Sequence, residues 1–248
     1  MAVNDTFQRQ IAAAKSKKTF DGRAAIAAAV VLVVISFTGF GPKYYFDLGN
    51  AFTSFRWMTH AHALIMVLWM ALFAAQVFFV RTKNVKTHIA LGMAGVVLAL
   101  LVIATGLIVG VQAGKYGSVS FPPNIPRLSF MIVPLGDILV FAVLFAAAIY
   151  YRRTPANHRR LMILTAINFL SPALARINIE ALQNLGPLYF WGFPDALGLI
   201  LLGADTWRNR RLNPAFAIGL LLIIASQPLR LMISGTETWL AFAAWLTR

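Results

Sequence analysis

Seven apolar stretches punctuate this chain, near residues 24–40, 57–80, 88–112, 129–151, 160–179, 192–206 and 214–234. A helix needs about 20 apolar residues to cross the hydrocarbon core of a bilayer. The sixth stretch is short and the fifth contains Pro172, so those two are the weakest candidates. With 59% hydrophobic and only 12% charged residues, the chain carries about half the charge of a soluble domain. Its mean hydropathy is +0.72. The expected fold is an all-α polytopic membrane protein of about seven transmembrane helices, with spans two to five forming a central four-helix bundle. Residues 1–23 form a basic cytoplasmic segment, 24–234 the transmembrane domain and 235–248 an interfacial C-terminal segment.

The net charge of +14 invites a nucleic-acid partner, but its distribution argues against one. Arg9, Lys15, Lys17, Lys18 and Arg23 precede the first span. Arg81, Lys83 and Lys86 separate spans two and three; Arg152, Arg153, Arg159 and Arg160 separate four and five; Arg208, Arg210 and Arg211 separate six and seven. These are 15 of the 22 basic residues, and the positive-inside rule makes their side cytoplasmic. The expected location is a bacterial inner membrane, with the N-terminus in and the C-terminus out. The expected surroundings are the lipid bilayer and its anionic inner leaflet, with no nucleic acid. The basic start resembles a secretory signal, but no small-residue cleavage site follows, so an uncleaved first helix is expected. Cysteine is absent, which excludes Cys-ligated iron–sulfur clusters, disulfides and covalently attached c-type haem.

Turn formers mark the outer loops, at Gly41-Pro42 and at Phe121-Pro122-Pro123-Asn124-Ile125-Pro126. Trp57, Trp191 and Trp239 near outer boundaries, and Trp207 near an inner one, fit an aromatic belt. Gly92, Gly95, Gly106 and Gly110 permit close helix packing in span three. Thr236-Glu237-Thr238 starts a short amphipathic segment ending at Trp245 and Arg248, placed along the outer interface.

One pattern occurs twice. Leu72-Phe73-Ala74-Ala75, Arg81-Thr82 and His88 return as Leu144-Phe145-Ala146-Ala147, Arg153-Thr154 and His158, the first six positions at a constant offset of 72 residues. Leu, Phe and Ala abound here, so chance also accounts for the four-letter match. Read as a duplication, it is a parallel repeat of two hairpins about an axis along the membrane normal. That axis would set His88 and His158 opposite one another at the cytoplasmic end of a four-helix bundle. Two neutral imidazoles so placed are axial ligands for the iron of a b-type haem. Either histidine alone reads as a polar residue at headgroup level. His60 and His62 lie two apart, about 200° around the helix, and face different neighbours.

An apolar four-helix core with histidines at helix ends resembles the cytochrome b561 family, whose bis-histidine haems pass electrons across a membrane. The likeness covers spans two to five; His60 or His62, His88 and His158 match three of four family histidines, and span four has none. It implies electron transfer, with a quinone or a redox protein as partner. Gln76, His88, Gly92, His158-Arg159-Arg160-Leu161-Met162 and Arg176 are similar to the pattern of an uncharacterised family of bacterial multi-pass membrane proteins, which implies no activity.

The outer half holds a second set of candidates. Asp137, Glu180 and Asp195 lie in or beside apolar spans, with Arg176 and Arg230 at comparable depth. A lone charge among lipid tails costs at least about 2.5–3.5 kcal/mol, so such groups face inward and pair. The expectation is Asp137 with Arg176 or Arg230, in a polar region that also draws on His62, Asn168, Asn178 and Gln227. As a metal centre, His62 and Asp137 would ligate a divalent ion and support hydrolase chemistry, although the HxxxH pair of seven-helix membrane hydrolases is missing. As a transporter, the acid and arginine would bind an anion or relay protons. None of the seven lysines lies within a span, which sets a retinal Schiff base aside.

Overall fold

A computed structural model describes residues 23–118 and 125–248. The basic segment with Arg9, Lys15, Lys17 and Lys18, and the turn at Phe121–Asn124, lie outside the described residues. In chain order the helices are α1 (Arg23–Tyr45, closing in a π-helical turn), α2 (Leu48–Ser54), α3 (Trp57–Arg81), α4 (Val85–Tyr116), α5 (Arg127–Phe130), α6 (Ile132–Tyr150) and α7 (Pro155–Asn168). They continue with α8 (Leu170–Leu174), α9 (Glu180–Gln183), α10 (Pro187–Phe190), α11 (Gly192–Asn209), α12 (Pro214–Ser234) and α13 (Glu237–Leu246). There is no strand among the described residues. Among the described residues six segments are long and apolar enough to cross a membrane, and the chain is an all-α polytopic membrane protein.

The fifth expected span is not one of the six. It forms α7 and α8, broken at Phe169. Pro172 has no N–H and its ring collides with the carbonyl four residues back, which belongs to Asn168, the last residue of α7. The break therefore falls where the proline demands it. Almost every residue from Arg160 to Leu174 is buried, Thr165 and Ala173 completely. This segment packs against α6, α11 and α12, so protein surrounds it where lipid surrounds the others. Polar side chains are tolerated there because protein groups satisfy them: Thr165 donates to the Met162 carbonyl at 2.7 Å and Asn168 to the Asp137 carbonyl at 3.0 Å.

Two apolar clusters fill the interior. Trp69, Phe73, Phe141, Phe145 and Phe169 join α3, α6 and the α7–α8 break, with Trp69 edge-on to Phe141 at 5.2 Å. Leu144, Leu164, Leu220 and Ile223 join α6, α7 and α12. Both repeated phenylalanines, Phe73 and Phe145, belong to the first cluster. Span-three glycines serve two faces of α4. Gly95 lies against Leu72 of α3, while Gly106 and Gly110, with Gly114 one turn on, receive Ile138 and Leu135 of α6 and Met131 at its N-terminus.

Three loops converge at one end of the bundle. Asn213 donates to Asn157 at 2.8 Å, and Arg160 reaches Asp205, so the basic segments around 81–86, 152–160 and 208–211 gather there. The opposite, distal end is closed by α13, whose Trp239 donates to the Leu128 carbonyl at 2.8 Å, and by the contact of Arg56 with the Tyr116 ring. Thr236 caps α13 itself by accepting from the Trp239 N–H, and the helix shows Phe242 and Trp245 outward. Trp57 and Trp207 are exposed, as a belt requires, but Trp191 is not. It is buried with the Arg230 guanidinium 5.6 Å over its ring, so it is a packing residue.

The closest helix approach predicts an effect. A Cβ on Gly39 of α1 would run into the backbone carbonyl of Ala173 in α8, and backbone cannot swing away as a side chain can. Gly39→Ala is expected to destabilise the protein by about 1–3 kcal/mol. Gly203→Ala in α11, where a Cβ meets nothing within 4 Å, should gain up to about 1 kcal/mol of helix propensity. Thermal unfolding in detergent micelles measures both; equal shifts would mean that α1 does not press on α8.

Candidate cofactor site

Each inner histidine is delivered by the first turn of a helix that follows a tight basic loop. Asn84 caps α4, its side chain accepting from the Thr87 N–H at 3.2 Å, and His88 follows one residue later. Pro155 opens α7, where its missing N–H costs nothing and its fixed φ suits a helix start, and His158 is three residues on. The two rings meet edge-on, with centroids 6.3 Å apart and planes inclined by 77°.

The second nitrogens decide the chemistry. His158 Nδ1 lies 2.8 Å from the Ala148 carbonyl oxygen. A carbonyl only accepts, so Nδ1 carries the hydrogen and a neutral ring keeps its lone pair on Nε2. A metal-ligating histidine is commonly oriented in just this way. His88 Nδ1 is buried with no hydrogen-bond partner among the described residues, and Gln76 donates to the His88 carbonyl at 3.1 Å. Gln76 and Ala148 are themselves one interval of 72 residues apart, so equivalent positions of the two hairpins hold the two histidines. The equivalence ends further up: α4 runs on for 32 residues while α7 stops after 14.

The distal candidates separate into different environments. Asp137 pairs with Arg230 at 2.5 Å, both buried, and not with Arg176. Arg230 also donates to the Val133 carbonyl at 3.0 Å, the Ser226 carbonyl at 3.1 Å and the Ser226 hydroxyl at 2.8 Å. Gly136 makes room for it, since a Cβ there would overlap Arg230 Cδ. Asp195 accepts from Gln227 at 2.9 Å. Arg176 instead lies over the Phe40 ring at 4.5 Å and donates to the Pro172 carbonyl, and Glu180 is exposed in the first turn of α9. The expected polar region therefore gathers Asp137, Arg230, Asp195, Asn168 and Gln227, and leaves Arg176 and Glu180 apart.

The outer histidines point to different neighbours. His60 Nδ1 is 2.7 Å from the Tyr44 hydroxyl and its ring stacks on Phe52 at 4.8 Å. His62 Nδ1 is 2.9 Å from Thr105 Oγ1. Thr105 spends its own hydrogen on the Leu101 carbonyl, so it accepts from His62 Nδ1–H. His62 is thus turned to α4 and Asp137 to α12. Among the described residues, no group of three or more His, Cys, Asp or Glu is placed to hold a metal ion.

A second buried ion pair escaped sequence reasoning. Arg160, at the start of α7, meets Asp205 near the end of α11 through two parallel bonds of 2.9 and 2.5 Å. Asn209 steadies the same carboxylate at 3.0 Å. The available signal was an acid and a base at the edges of two apolar runs on the same side, the depth argument applied to Asp137. A cavity of about 440 Å³ lies at the distal end beside Lys115, Arg127 and Leu240. One of about 20 Å³ lies beside Arg160 and Asp205. Neither reaches the histidine pair.

No family model, curated protein or solved structure matches this chain.

Proposed function

We propose that this membrane protein holds a b-type haem between His88 and His158 and serves in electron transfer. The supporting observation is the ring spacing. Two metal–imidazole bonds of about 2 Å, with roughly 1 Å from each ring centre to its nitrogen, add to about 6 Å, against the 6.3 Å found. The Ala148 carbonyl fixes the His158 tautomer that leaves Nε2 available, and the unpartnered His88 Nδ1 marks a ring whose bonding capacity the protein does not use. A bound haem would supply one-electron exchange. The chain's part is to orient two imidazoles and to line the surroundings with apolar helix walls. A bilayer quinone or a redox protein docking on the basic loops is the partner this reading implies.

A single transition-metal ion bridging the two rings is the second reading. It is favoured by the same ring spacing, which one ion spans as well as a haem iron does. Absorption spectra of protein purified from haem-replete cells, oxidised and reduced, together with metal analysis, separate the two. Haem bands that shift on reduction support the first reading. A colourless preparation carrying stoichiometric metal supports the second, and one with neither overturns both. The hydrolase and transport alternatives rest on Asp137 and His62, which already bond Arg230 and Thr105.

The same reading puts the basic end in the cytoplasm of a bacterium, by the positive-inside rule. Reporter fusions at Arg153 and Arg248 should then report opposite sides of the inner membrane; the same side for both would refute this orientation.

A further inference from the structure

We infer that Arg176 is a phosphate-binding residue at the distal end of the bundle, independent of the histidine pair. Among the described residues two arginines are buried, and both are neutralised: Arg160 by Asp205 and Arg230 by Asp137. Arg176 is half-buried, yet among the described residues no carboxylate lies within ion-pairing distance of it. Of the five N–H donors of its guanidinium, one is seen to bond, to the neutral Pro172 carbonyl, and one face of the group rests on Phe40. His62 bonds Thr105 of α4 and offers no negative charge to compensate it. The position is also held firmly. Gln183 donates to the carbonyls on both sides of it, those of Ala175 at 3.3 Å and Ile177 at 2.9 Å.

A guanidinium held in place, flattened against an aromatic ring and left with unused donors matches the oxygens of a phosphate, which it bonds in pairs. Arg176 follows the last turn of α8, where the chain leaves the bundle interior for the distal loop carrying α9. The same chemistry is offered by a phospholipid headgroup and by free inorganic phosphate, so the experiment must distinguish these sources.

Full-length protein, delipidated in a phosphate-free neutral detergent, is treated with phenylglyoxal, and modification of Arg176 is followed by peptide mass spectrometry. The arms contain no addition, inorganic phosphate, phosphatidylcholine, or diacylglycerol, which lacks the phosphate. At ten times its Kd a bound ligand should slow modification about tenfold. Protection by inorganic phosphate assigns a soluble anion. Protection by phosphatidylcholine alone assigns the headgroup. No protection by either, or equal protection by diacylglycerol, overturns the proposal. If the reagent fails to reach Arg176 in every arm, thermal unfolding decides: inorganic phosphate or phosphatidylcholine, and not diacylglycerol, should raise the Tm of wild type and not that of Arg176→Gln. An equal rise in both, or none in wild type, overturns it.

Discussion

Replacing Asp137 with alanine while Arg230 stays in place is expected to cost about 3–5 kcal/mol of stability, because a buried guanidinium is left without its counter-charge. The geometry makes escape difficult. Arg230 is fastened to Val133 and twice to Ser226 and lies over Trp191, while its aliphatic stem fills the space that Gly136 leaves open. Its charge therefore cannot swing to water without breaking several neutral contacts. Removing both charges is a different experiment. The double variant Asp137→Leu, Arg230→Met should recover most of the loss, since a well-packed apolar pair of similar volume avoids desolvating either ion. Asp195→Asn should cost far less, because Asp195 is only half-buried and its partner Gln227 is neutral. Reversible unfolding in mixed micelles gives all three values. A loss below about 1 kcal/mol for Asp137→Ala, the size seen for exposed ion pairs, would mean that the pair is hydrated.

His158→Ala and His88→Ala are each expected to abolish or grossly alter the haem absorbance of the purified protein, whereas His60→Ala should leave it intact. Bis-histidine ligation needs both nitrogens on one iron, so either loss removes an axial bond and the low-spin spectrum with it. His60 is engaged by Tyr44 and Phe52 on the first turn of α3, whereas the pair sits at the end where α3 finishes. Gln76→Ala makes a graded control. Gln76 bonds the His88 backbone carbonyl, not the ring, so its loss should weaken binding by positioning without removing a ligand, roughly the 10–100-fold typical of outer-shell groups. Unchanged spectra in both histidine variants would place any haem elsewhere, and unchanged metal content would do the same for the bridging-ion reading.

Much of this architecture was legible before any coordinates. Apolar runs and the basic residues between them report a local property, the fit of each segment to lipid or to headgroups, and local properties can be read along a chain. Hence the helices, α13 among them, and the gathering of basic loops at one end followed. His88 and His158 were likewise legible as a pair, through equal positions in two similar hairpins. The Gln76 and Ala148 contacts, at matching positions, were not sought, because one acts through a side chain and the other through backbone.

Other features depended on neighbours distant in sequence. Along the sequence, 160–179 reads as one more span of the central bundle, weakened by Pro172, but its polarity reflects a helix enclosed by α6, α11 and α12 and broken by that proline. Hydropathy measures contact with lipid, and an interior helix has little. The depth of Asp137 showed that it needed a cation; rotation of α6 and α12 about their axes decided that Arg230, not Arg176, supplies it. Trp191 was assigned to the belt by its position near a boundary, and the cation above its ring drew it inside. Sequence alone determined that the chain crosses a membrane, where its helices start and turn, and which end carries the charge, because each follows from the solvent a residue meets. Tertiary structure alone decided which buried charges are neutralised and how far apart two imidazoles stand. Those depend on helix rotation and packing to within an ångström, which no one-dimensional pattern specifies.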